Sequence, residues 1–97
     1  MDFQWDDDKN EENIRTHGID FRDACEAFSG PLLYEADTRE DYGEERWIGI
    51  GQMRGRIIVL AFVEREGPQV RLISARKATQ NEKSKFQKAI EDELGQN

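Results

Sequence analysis

Apolar residues recur along this chain in two rhythms, and the change from one to the other divides it near residue 45. In the first half they come three and four apart. Phe21, Ala24, Cys25 and Phe28 stand at i, i+3, i+4 and i+7, the spacing of one face of a helix, with Asp20 placed to cap its start and Ser29-Gly30-Pro31 to stop it. Ahead of it, Asp6-Asp7-Asp8 offers N-cap carboxylates, and Asp8 with Glu11 has the spacing of a capping box. This predicts a helix from about Lys9 to His17, ended by Gly18. Its inward positions are Asn10, Asn13, Ile14 and His17, a polar set for a packing face. Phe3 to Trp5 and Pro31 to Ala36 read as short strands, and Asp37 to Glu44 as a polar loop around Gly43.

Beyond residue 45 the punctuation is that of a meander. Arg46 to Gln52, Arg56 to Glu64 and Gln69 to Ala75 read as strands, separated by the turn sequences Met53-Arg54-Gly55 and Arg65 to Pro68, which suit antiparallel hairpins. Ile57 to Val63 is apolar at both parities, so this strand is expected at the centre of the sheet with both faces covered. Thr79-Gln80-Asn81-Glu82 is a capping box that opens a last helix, in which Phe86, Ala89, Ile90 and Leu94 form the packing stripe. The fold class is therefore α+β: two N-terminal helices, an antiparallel β-meander sheet, and a C-terminal helix packed on the sheet.

Length adds that residues 1–97 suit a single domain with one small core. The longest apolar run, Ile57 to Val63, is too short to cross a bilayer, and the acidic N-terminus lacks the basic flank and apolar stretch of a signal peptide. A cytoplasmic location with no membrane association is expected. One Cys and one His are too few for an internal disulfide or a structural zinc site, and neither a metal nor another cofactor is expected.

Charge changes the picture more. A net charge of -7 argues at first against a nucleic-acid partner. Yet residues 1–45 carry net -11, residues 46–90 carry net +7, and the last seven carry net -3. The cations thus gather on the strands and the start of the last helix. The acids of Asp6-Asp7-Asp8, Glu11 and Glu12 serve either as caps and a solvated surface or as a lure for a basic partner segment.

Four segments, in order, resemble one known family: Trp5-Asp6 with Lys9 and Asn13; His17-Gly18-Ile19 with Phe21 and Ala24; Gly43-Glu44-Glu45-Arg46-Trp47 with Ile50-Gly51; and Arg71-Leu72-Ile73-Ser74-Ala75-Arg76-Lys77-Ala78 followed by Glu82. The chain resembles the BrnT-type ribonuclease toxins of type II toxin-antitoxin systems. That resemblance implies a RelE-like fold and an endoribonuclease that arrests translation. It also implies a BrnA-type antitoxin that neutralises the toxin, and contact with operator DNA only through the antitoxin.

Metal-independent RNA cleavage on such a fold uses the 2′-hydroxyl of the substrate as nucleophile, and needs a base, an acid and cations around the transferring phosphate. Arg76, Arg71 and Arg46 are the candidate phosphate clamp, since a planar guanidinium matches phosphate oxygens in pairs. Each has a plainer reading as a surface ion-pair partner. His17 carries the one side chain that ordinarily titrates near neutrality and is a proton-transfer candidate, although a His beside a helix C-cap often serves only that end. Glu82 is the second such candidate, with the capping box as its plainer role. Lys9, Trp47 and Lys77 are candidate substrate contacts, Trp47 by base stacking unless it belongs to the core. The rival expectation is a non-catalytic module that binds an antitoxin and acts only in operator autoregulation.

Overall fold

The computed structural model describes residues 1–94. The elements run β1 (Asp2–Gln4), α1 (Asp7–His17), α2 (Phe21–Ala24) continued by a 3₁₀ turn (Cys25–Ser29), β2 (Leu33–Ala36), β3 (Trp47–Met53), β4 (Arg56–Glu64), β5 (Gln69–Lys77) and α3 (Gln80–Leu94). The strands form one sheet in the order β1-β5-β4-β3-β2. Consecutive strands from β2 to β5 pair antiparallel, as their short turns require, but β1 joins β5 in parallel. The sheet is therefore mixed, a correction to the antiparallel expectation. A strand entering from the N-terminus has no hairpin to dictate its direction.

The caps behave as their sequences suggest, with one shift. Asp6 is the N-cap of α1 and accepts from the backbone N–H of Asp8 and Lys9, so the helix begins two residues before the expected Lys9 and Asp8 lies inside it instead of forming the expected capping box with Glu11. Gly18 ends it by donating its N–H to the Ile14 carbonyl. Asp20 caps α2, and Thr79 and Glu82 bond each other's backbone N–H at the start of α3. The second helix is shorter than a seven-residue stripe implies. It tightens after one turn, and burial follows a three-residue step through Phe21, Ala24 and Ala27. This segment comes so close to β3 that a Cβ on Gly51 would lie 3.0 Å from that of Ala27. The β3–β4 turn has positive φ at both Arg54 and Gly55, as a two-residue hairpin loop of matching twist demands.

Helices cover both faces of the sheet, and β4 lies at its centre. Ile58, Leu60 and Phe62 point to the side of α1 and α2, where Phe21, Leu72 and Ala75 join them; Val59 points to the other side, with Ile50 under Phe86 of α3. The stripe on α3 stops short of its end, because Leu94 is exposed. On α1 the inward face is more polar still than expected: Asn10 and Asn13 are buried, while Ile14 and His17 are exposed.

Those two asparagines place α1. Asn10 accepts from the Phe21 N–H and donates to Asp20. Asn13 reaches the edge of β5 beyond the end of β1, accepting from the Ala75 N–H at 3.1 Å and donating to the Ala75 carbonyl at 2.9 Å, with a further bond to the Ile19 carbonyl. The side-chain amide thus stands where a neighbouring strand would, satisfying buried backbone groups that β1 is too short to reach.

Candidate functional site

β5 is where the site begins, because its register against β4 is interrupted. Ala61 faces Ser74, but Phe62 faces Leu72, so Ile73 is an extra residue and the strand bulges there. Side chains alternate along a regular strand, which would send residues 71 and 76 to opposite faces. The extra residue restores their parity. Arg71 pairs with Val63, Ser74 with Ala61 and Arg76 with Val59, and all three therefore lie on the α3 side of the sheet.

Arg46 joins them by register. Trp47 faces Phe62, so the preceding residue stands level with Val63 and Arg71, and its Cα lies roughly 10 Å from that of Arg71, two strand spacings away. Asp37 continues the same row, donating its N–H to the Arg46 carbonyl at 2.8 Å. The Arg46 guanidinium lies 4.1 Å from the centre of the Tyr42 ring, and its Nε is buried without a hydrogen-bond partner. Arg71 reaches only a neutral group, Gln4 Oε1, at 3.3 Å. Neither arginine forms an ion pair among the described residues.

Arg76 is held differently. Its two terminal nitrogens donate to the two oxygens of Glu82, each at 2.8 Å, and Nη1 also donates to the Lys77 carbonyl. The edge made by Nε and the second Nη2 hydrogen has no acceptor among the described residues. The hydrogen bonds from Arg76, reinforced by the backbone N–H of Thr79, hold the Glu82 carboxyl down at about 2 against partial burial; the same bonds raise Arg76. A carboxylate that acidic, with both oxygens engaged, is a poor proton acceptor near neutrality. Glu82 also borders a cleft of about 150 Å³ floored by Ile48, Ile50 and Val59, whose rim carries the Lys85–Glu35 pair.

The other residues singled out from the sequence do not share this face. His17 and Lys9 line a shallow depression with Ile73 at the outer edge of β5, and none of the three arginines borders it. Trp47 is half-buried on the opposite side, packed against the α1-side core with its ring 5.6 Å from Tyr34. Lys77 borders a separate depression with Arg56 and Lys83 beside α3. Sequence reasoning missed Asp37, Arg39, Tyr42 and Ser74. The first three lie in a segment whose composition says only that it is polar, and Ser74 acquires its direction from a bulge that no residue type announces. Among the described residues, no group of three or more His, Cys, Asp or Glu is placed to hold a metal ion, and no helix is long and apolar enough to cross a membrane.

Comparison with known proteins gives the chain its relatives. Residues 5–82 match the family described as ribonuclease toxin, BrnT, of type II toxin-antitoxin system. Among solved structures, the chain is similar to the 1.1 Å crystal structure of the Brucella abortus ribonuclease toxin, BrnT. The two share 30% identity with a TM-score of 0.63, over 82% of this chain and 99% of that one. No curated protein matches.

Proposed function

The chain belongs to the BrnT ribonuclease toxin family of type II toxin-antitoxin systems, and from that membership we propose that it cleaves RNA on the α3 side of its sheet, with Arg76, Arg71 and Arg46 as the phosphate clamp. The observation that carries this reading is the bulge at Ile73, which gathers Arg71, Ser74 and Arg76 on one face, with Arg46 level with Arg71. Two features support it. Arg46 and Arg71 have no carboxylate partner among the described residues, and Arg76 keeps its Nε edge without an acceptor there.

In this reaction the 2′-oxygen of one nucleotide attacks the adjacent phosphorus, and the bond from phosphorus to the 5′-oxygen of the next nucleotide breaks. The products are a 2′,3′-cyclic phosphate and a 5′-hydroxyl, and neither a water nor a metal enters the balance. The arginines meet the charge that grows on the phosphate oxygens, where one well-aimed donor contributes a few kcal/mol. Glu82 is a positioning residue that fixes the Arg76 fork. The 2′-hydroxyl proton leaves to solvent and the 5′-oxygen takes one from it, since His17 lies at the sheet edge beside Lys9, off the arginine face; Lys77 with its neighbouring cations draws in the RNA backbone. Translation arrest, a RelE-like chemistry, a cytoplasmic setting and neutralisation by a BrnA-type antitoxin that carries the complex to operator DNA complete the reading.

Expression without an antitoxin tests it. The wild-type chain should stop growth and degrade RNA, and a folded Arg76→Ala form should do neither. Equal harmlessness of both would favour the module that only binds its antitoxin.

A further inference from the structure

The segment between β2 and β3 contains a second arginine-carboxylate unit beside the first. Asp37 is a buried acid: its side chain is 1% exposed, and a carboxylate so placed is costly unless its lone pairs are filled. Arg39 fills most of them, donating from Nε at 2.8 Å, from Nη2 at 2.7 Å and from its backbone N–H at 3.2 Å, while the Tyr42 hydroxyl donates at 3.3 Å. Tyr42 in turn stacks on Arg46. One buried carboxylate therefore orients Arg39 directly and reaches the Arg46 stack through one intervening ring.

The arrangement leaves Arg39 half engaged. Its Nε and Nη2 edge is taken by Asp37, but the end formed by Nη1 and the second Nη2 hydrogen has no acceptor among the described residues, and 65% of the side chain is exposed. Arg76 is its mirror case, with its end taken by Glu82 and its Nε edge open. Tyr42 and the backbone bond from Asp37 to the Arg46 carbonyl set this unit beside Arg46, and the charge of Arg39 also opposes that of Arg76. Two guanidiniums, each fixed by its own ionised carboxylate and each keeping one open edge, suit an anion with several oxygens.

The geometry points to Arg39, set in place by buried Asp37, as a fourth arginine of the RNA site that contacts the same or the adjacent phosphate as Arg46. This inference rests on the reading of the α3 side as the RNA face, and extends it to a residue outside the four segments that first suggested the family.

The test uses the full chain and two substrates: bulk cellular RNA for cleavage, and a mixed-sequence 2′-O-methyl RNA 20-mer, which lacks the nucleophile, for binding across a salt series. Arg39→Ala should lower cleavage roughly 10²-fold. It should also flatten the dependence of log K on log salt by about 0.7, the signature of one lost phosphate contact to a single strand. Arg39→Lys, which keeps the charge and loses the fork, should retain the salt slope and lose about tenfold in cleavage. Arg39→Ala with wild-type cleavage and an unchanged slope, whatever its thermal stability, overturns the inference while loss of cleavage in Arg76→Ala leaves the RNA face standing. Wild-type cleavage in both variants overturns the two together.

Discussion

Arg71 and Arg76 sit five residues apart on one strand and still project from the same face of the sheet, because Ile73 between them is a bulge with no partner on β4. Ser74 is the residue that this correction places between them. Glutamate at Ser74 should therefore set a negative charge among the arginines and reduce RNA cleavage by at least about 10²-fold. Ile73→Gln, one residue away and at the strand edge, should leave it within about threefold. Both are read by cleavage of bulk RNA with circular dichroism confirming the fold, and equal losses from the two substitutions would contradict the facing.

Glu82 and Arg76 should separate in kinetics. Arg76→Ala removes a group that meets the phosphate and should lower kcat/KM by about 10²- to 10³-fold. Glu82→Gln keeps the shape and the bond from Thr79 but releases the fork, and should cost about tenfold. A loss from Glu82→Gln as large as that from Arg76→Ala would identify Glu82 as the proton acceptor instead.

Acid should weaken the same pair. The Glu82 carboxyl titrates at about 2 in the folded chain and ordinarily at 4.5. Its contribution to stability is thus fully present above about pH 4.5, fades as pH falls towards 2 and is gone below that. The difference in urea midpoint between wild type and Glu82→Gln should shrink across this window, and a difference that stays constant from pH 6 to pH 2 would remove the ion pair from the account. Asp37, ordinarily at 3.8 and also held at about 2, principally by the side-chain bonds from Arg39, should add a loss of the same sign between about pH 4 and 2.

Asn13→Ala should destabilise the fold by about 2–3 kcal/mol, because it strands the buried N–H and carbonyl of Ala75 together. Asn13→Asp should rescue little: a carboxylate can still accept from the Ala75 N–H but cannot donate to the Ala75 or Ile19 carbonyl. Urea denaturation measures both, and a wild-type midpoint in either would mean that water replaces the amide without cost.

Much of this fold is legible in the residues. The capping carboxylates of Asp20 and Glu82, the hairpin at Arg54-Gly55 and the doubly apolar run that becomes β4 are local signals, and each sits where its chemistry says. The polar face of α1 was legible as an anomaly, and Asn13 explains it as the surrogate for a missing strand pairing. What was not legible depends on partners distant in sequence. Nothing in Phe3 or its neighbours declares a parallel pairing with β5, and no residue type marks Ile73 as a bulge. The same holds at the site. Arg46, Arg71 and Arg76 stood out as strand arginines, but their shared face follows from a register shift. Asp37 with Arg39 looked like one more stretch of polar loop, and Trp47 looked available to a base until the register turned it to the core side.

The product ends of the cleaved RNA test the central claim most directly. Purified chain incubated with bulk RNA in the presence of EDTA should generate fragments ending in 2′,3′-cyclic phosphate and beginning with 5′-hydroxyl, as attack by the neighbouring 2′-oxygen on an arginine-held phosphate requires, and Arg76→Ala should generate them about 10²- to 10³-fold more slowly. Fragments with 3′-hydroxyl and 5′-phosphate ends, or cyclic-phosphate ends made equally well by Arg76→Ala, would contradict it.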